Sequence, residues 1–147
     1  MCIRDSIRIV VPGVREMTLK NPGSYTLYYE HRSTVDGDHY VTQSWLPPME
    51  ITIQDASSRA LLTIQPATAD AYNYTRYAGV PIIQFAISHP SRIVVNVINR
   101  SDQPQPFVIA VTNRPIHNPH RDLVPGVATV LLGCVIAARI LLECIGR

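Results

Sequence analysis

The chain has 147 residues and only three cysteines, none of them between Ile7 and Asn113. That gap excludes a disulfide framework, a thiolate zinc site and a cysteine nucleophile from the middle of the chain. It also excludes a blue-copper centre, which needs a cysteine ligand. Cys134 and Cys144 lie ten positions apart in one apolar run, and the geometry of a helix keeps them from pairing with each other. Charge of one sign is missing too. Thirteen Lys and Arg stand against eleven Asp and Glu, net +2, mixed along the chain, so no basic stripe offers itself to nucleic acid. No Gly-x-Ser-x-Gly elbow, P-loop or Gly-x-Gly-x-x-Gly turn occurs. Carboxylate pairs such as Asp36 and Asp38 fall on one turn rather than across a cleft, so acid–base hydrolysis has no visible machinery. These absences point away from an enzyme, and no cofactor is expected.

What is present divides into two compositions. Sixteen of the last 24 residues are apolar, against 52 of the first 123. Residues 124–145 read VPGVATVLLGCVIAARILLECI, and as a helix this run spans ~33 Å, enough for a hydrocarbon core of ~30 Å. Asp122 is placed to cap its first amides, and Pro125 falls in the first turn, where its missing N–H costs little. Arg139 follows fifteen uncharged residues, near enough the C-terminal end to reach the headgroups, with Glu143 four positions on as its partner. The sequence therefore predicts one C-terminal transmembrane helix, with the lipid bilayer as its first partner. Thr129, Gly133 and Ala137 recur every four residues on one face, a small-residue pattern that lets two such helices approach and offers a homodimer or protein contact.

Before residue 124 no helical apolar stripe of useful length appears. Short runs rich in β-branched and aromatic residues recur instead: Ile7 to Val11, Thr26 to Tyr29, Tyr40 to Thr42, Ile51 to Ile53, Leu61 to Ile64, Ile82 to Phe85, Ile93 to Ile98 and Phe107 to Val111. Turn signals such as Pro12-Gly13, Asn21-Pro22-Gly23, Asp36-Gly37, Pro47-Pro48 and His89-Pro90 separate them every ten or so residues. No proline falls inside a strand, Pro81 at the start of one being the nearest case. Seven to nine short strands without intervening helices predict an all-β antiparallel sandwich over residues 7–113. In it Tyr25, Leu27 and Tyr29 share one face of a strand while Thr26, Tyr28 and Glu30 share the other. Residues 114–123 form a proline-stiffened juxtamembrane linker leading to the span.

Two resemblances rest on particular residues. Met1-Cys2-Ile3-Arg4-Asp5-Ser6 resembles translated sequencing-adapter read-through, which implies a non-native leader at residues 1–6 and a native start further upstream. Val11 to Glu30 (VPGVREMTLKNPGSYTLYYE), followed by Ile51 to Asp55 and by Pro81 to Pro90 (PIIQFAISHP), is similar to bacterial membrane proteins in which a small β-sandwich sits beside membrane helices. More distantly it resembles the lumenal GOLD-type sandwich of cargo receptors. It departs from those receptors in lacking their cysteine pair and a coiled-coil helix before the span, so a cargo-receptor role does not carry over. Positive charges flanking the span are balanced, Arg114 and Arg121 on one side and Arg139 and Arg147 on the other. A signal or helix upstream of the foreign leader would place the sandwich on the exoplasmic or periplasmic side, and that is the expected topology.

Candidate sites are few. His31 and His39 flank the loop Arg32 to Asp38, with Asp36 and Asp38 at its tip, and two histidines with a carboxylate form a possible divalent-metal set. A polar hairpin end with Asp-Gly at the turn accounts for the same residues. His117 and His120 in the linker offer a second, similar pair. Tyr72, Tyr74 and Arg76 form the most interaction-like surface, since exposed tyrosine and arginine are typical of binding hot spots; packing of the rings into the core is the competing account. The sequence thus predicts a membrane-anchored β-sandwich with a binding or scaffolding role, or alternatively a periplasmic metal-binding domain using His31 and His39.

Overall fold

Every second residue along the longer strands is withdrawn from water on the same side, and that alternation builds two sheets around one core. The computed structural model describes residues 6–102 and 105–113. Ten strands run through them: β1 (Ile7–Val11), β2 (Gly13–Leu19), β3 (Gly23–Val35), β4 (Asp38–Val41), β5 (Met49–Asp55), β6 (Gln65–Pro66), β7 (Tyr72–Asn73), β8 (Ala78–Ile87), β9 (Ser91–Asn99) and β10 (Phe107–Thr112). The larger sheet has the order β1-β10-β3-β8-β6, with β4 paired to the far end of β3 and β7 to β8. The smaller has the order β2-β9-β5, and every pairing is antiparallel. The expected all-β, sandwich-like architecture is the one observed, and the described residues contain no helix. The predicted span at residues 124–145 and the linker before it lie outside the described residues.

The core is the inner face of both sheets. Ile9, Val11, Leu27, Tyr29, Ile109 and Val111 from the larger sheet meet Met17, Leu19, Ile53, Ile93, Val95 and Val97 from the smaller. Tyr25 stacks on Phe85 at 5.6 Å between centroids, and Tyr29 meets Phe107 edge-on at 5.4 Å. Each such pair adds roughly 0.5–1.5 kcal/mol beyond the area it buries. The Tyr25 hydroxyl donates to the Asn21 carbonyl at 2.8 Å, which ties the β2–β3 turn to the core.

Several details differ from the sequence expectation. β2 was not expected, because Arg15, Glu16 and Thr18 make it look polar; Met17 and Leu19 nevertheless alternate inward and their neighbours face water. Leu61 to Ile64 forms no strand: its one ladder contact is an isolated bridge from Leu61 to Gln54, and Leu61 stays 67% exposed. Pro81 lies within β8 rather than at its start. The β3–β8 register shifts at that point, between Leu27 and Tyr28, and such a bulge is where a strand accommodates a residue with no N–H to donate.

β3 runs unbroken through His31 to Val35 before the chain turns on Asp36 and Gly37, at φ of 52° and 95°. Two positive φ values define the hairpin turn whose twist matches its strands, and Asp-Gly is a preferred sequence for it. The loop expected from Arg32 to Asp38 is therefore a two-residue turn.

Candidate functional site

The outer face of the larger sheet carries a closed polar cluster. Arg8 on β1 and Tyr28 on β3 both lie opposite Ala110 of β10, and Glu30 lies opposite Val108. The small Ala110 leaves room for the Arg8 guanidinium to reach across β10. Its Nε donates to Glu30 Oε2 at 2.9 Å and its Nη2 to Oε1 at 3.0 Å. Ser33 and Tyr72 donate their hydroxyls to the same carboxylate, and the guanidinium sits 4.1 Å from the centroid of the Tyr77 ring. The chain between β6 and β8 closes over this face, so Glu30 is fully buried. A carboxylate buried this deeply is stable only when paired and hydrogen-bonded. With both oxygens occupied and no access for solvent, Glu30 is not presented to a substrate.

This cluster decides where the expected interaction residues stand. Tyr72 is 2% exposed and packs edge-on against Tyr28 at 5.1 Å, so it belongs to the fold rather than to a surface. Burial, reinforced by the neighbouring Glu30 charge, pushes its hydroxyl far above the ordinary tyrosine range. Tyr74 is half-buried in the same group, and Arg76 alone of the three is exposed. Gly79 lies directly beneath: a Cβ there would come within 2.8 Å of the Tyr72 ring.

The two histidines are separated by the hairpin register. His39 pairs with Thr34, and its Nδ1 lies 3.0 Å from the Thr34 hydroxyl. The His31 carbonyl accepts from the Thr42 amide. The rings are thus three register positions apart, about 10 Å of strand, whereas two imidazoles on one metal each approach it to ~2 Å. Among the described residues no group of three His, Cys, Asp or Glu side chains could hold a metal. Burial, and next the Arg32 charge, push His31 below the ordinary histidine value. Its Nδ1 is enclosed with no hydrogen-bond partner among the described residues, a setting that disfavours a second ring proton. Thr129, Gly133, Ala137, His117 and His120 lie outside the described residues.

A constellation of catalytic residue types does occur in a surface recess lined by Asp55, His89 and Ser91. The Ser91 hydroxyl donates to the His89 carbonyl at 2.9 Å and lies 2.8 Å from His89 Nδ1. With its one proton committed to a carbonyl, Ser91 must accept from the ring nitrogen, the reverse of what an activated nucleophile requires. The Asp55 carboxylate accepts from the amides of Ser57 and Ser58 and from the Ser58 hydroxyl. Those bonds, led by the Ser58 amide, hold it below the usual aspartate range. It organises a turn.

A further recess was not expected from the sequence. At the end of the sandwich where β3 reaches Tyr29 and β10 begins at Phe107, the β4–β5 and β9–β10 connections enclose a recess of about 380 Å³. Trp45, 64% exposed, forms one wall with Pro47 and Pro48; Gln43, Asn99, Asp102 and Gln105 are among the others. The walls are pinned from within. The Tyr29 hydroxyl donates to the Gln43 carbonyl at 2.7 Å and lies 2.9 Å from Thr42 Oγ1. Asn99 Oδ1 accepts from the Ser101 amide at 3.0 Å, and Asn99 Nδ2 donates to the Gln105 carbonyl at 3.3 Å. Ser44-Trp45-Leu46-Pro47-Pro48 was legible only as a break between strands. The signal in it is a lone tryptophan beside prolines, in a position no strand pattern would bury.

The chain matches no family model, no curated protein and no solved structure.

Proposed function

We propose that this chain is a membrane-anchored β-sandwich module with a binding role at the membrane surface and no catalysis of its own. The observation that carries the reading is the Trp45 recess: a hydrogen-bonded frame holding open a pocket beside an indole that the core does not use. Its volume lies at the lower end of the ~300–1,000 Å³ typical of ligand sites. The buried Glu30 carboxylate is saturated by Arg8, Ser33 and Tyr72, and the serine–histidine recess is bonded against nucleophilic use, which favours binding over chemistry. The apolar run at residues 124–145 is the proposed anchor, with the sandwich on the exoplasmic or periplasmic side and the Thr129, Gly133 and Ala137 face available to a second copy.

Alkaline carbonate extraction tests the anchor: the full chain is expected in the membrane pellet, and a chain ended after Asp122 in the supernatant. Recovery of the full chain in the supernatant would refute the anchored reading. Protease added to spheroplasts is expected to cleave the sandwich if it faces outward. Trp45→Ala is expected to change stability by no more than about 0.5 kcal/mol, as for an exposed side chain outside the core. A larger loss in thermal unfolding would make Trp45 a structural residue instead.

A further inference from the structure

Trp45 is the single tryptophan of the chain, and the surface it leaves in water is the largest apolar ring a protein can offer a ligand. The remaining walls of its recess narrow the occupant by chemistry. Gln43, Asn99, Ser101, Asp102 and Gln105 supply amides, a hydroxyl and one carboxylate, and among the described residues no lysine, arginine or histidine lines the recess. The nearest cation along the chain, Arg100, is held by Glu50 at 2.6 Å. A phosphate or carboxylate ligand would therefore face Asp102 with no countercharge to offset it. One carboxylate is too little for a metal ion. A wholly apolar molecule would strip water from these polar groups and return no hydrogen bond.

A neutral ligand with one apolar face and a rim of hydroxyls meets every one of these conditions. We propose that the recess binds a neutral oligosaccharide, one pyranose ring lying with its C–H face on the Trp45 indole and its hydroxyls on the amide and carboxylate wall. Amide side chains offer both donors and acceptors, and the carboxylate accepts two hydroxyls at once, which is the mixture that a polyol presents in return. The frame is set before any ligand arrives, through the Tyr29, Asn99 and Ser101 bonds, so little ordering cost falls on binding. The described sandwich ends at Asn113, beside Leu19 and Tyr25 at the opposite end of β10 from the recess. This assignment deepens the binding-module reading and rests on it.

The test uses the full chain in a zwitterionic detergent whose headgroup is not a sugar, with the emission of Trp45 as the readout. Cellohexaose, chitohexaose, maltohexaose, mannohexaose and xylohexaose are titrated separately to about 10 mM, beyond the Kd of a weak single-ring site. At least one is expected to shift the emission saturably. Asp102→Ala and Gln43→Ala are each expected to weaken that response about tenfold, the loss of one good hydrogen bond, with unchanged melting temperature. By calorimetry, Trp45→Ala is expected to bind no saccharide. The proposal is overturned if no saccharide shifts the emission, or if the shift survives Asp102→Ala and Gln43→Ala undiminished. A proline-rich peptide serves as the second arm. A response to it with silence from every saccharide overturns the sugar assignment and leaves the binding module standing, whereas silence from the peptide as well overturns both, and the anchor is read separately from carbonate extraction.

Discussion

The two faces of the larger sheet are closed by different physics. The inner face packs Leu27, Tyr29, Ile109 and Val111 against aliphatic residues of the smaller sheet, and its attraction is non-directional and proportional to area. The outer face is closed by the protein's own chain between β6 and β8, over a buried carboxylate with three donor side chains, one of them an arginine against a tyrosine ring. All six residues of β10 are consequently buried, although the strand pattern of a sandwich would leave half of them wet. The comparison teaches that an apolar face tolerates loss of a side chain in proportion to the area removed. A polar closure fails by the charge it leaves behind.

Removing Arg8 attacks the outer face at its most sensitive point. Arg8→Ala strands Glu30 without a countercharge and is expected to cost about 4 kcal/mol, as breaking one side of a buried pair does, read as a shift of the midpoint in urea. Leu27→Ala on the inner face is expected to cost about 3 kcal/mol by lost transfer energy and the cavity left behind. If the leucine proves costlier than the arginine, the contrast between the two closures does not hold.

A smaller effect separates the lid from the sheet. Gly79→Ala places a methyl into the Tyr72 ring and is expected to cost about 2 kcal/mol through overpacking. Hydrogen exchange of residues 67–77 should rise while that of the inner strands β9 and β10 stays near the wild-type level. Uniform acceleration across both faces would instead mean that the lid and the core open as one unit.

The smallest expected effect is in pH. His31 is held below its ordinary value in the folded state, so its neutral form is the one the fold favours. That contribution is complete above the ordinary histidine value of about 6.5 and is lost as pH falls from there toward the folded value, because the unfolded chain takes up the proton first. Urea midpoints should therefore decline between pH 7 and pH 5, and His31→Gln should flatten part of the decline. An identical decline in the variant would assign the pH dependence to other groups.

The inner face was legible because its information is local. Tyr25, Leu27 and Tyr29 alternate with polar neighbours within five residues, and Asp36-Gly37 encodes its own turn. Charge hid β2, whose inward Met17 and Leu19 are only two residues of seven, and β-propensity misled at Leu61 to Ile64, where no full strand is available to pair. The outer face was illegible for a different reason. Arg8 lies 22 positions from Glu30, and Tyr72 lies 42; nothing in the neighbourhood of any of the three announces the others. Tyr72 looked like an interaction residue because tyrosines in a polar loop resemble a hot spot until a sheet is placed beneath them. The Trp45 recess is formed by two connections more than fifty residues apart, and each alone reads as a turn.

From composition and periodicity alone the sequence determined an all-β antiparallel architecture for residues 7–113, because alternation and turn chemistry act over a few residues. Tertiary structure alone decided which polar side chains are sealed and which face water. Burial of a charge depends on a partner brought from far along the chain, and a pocket exists only once two distant loops share one end of the sandwich.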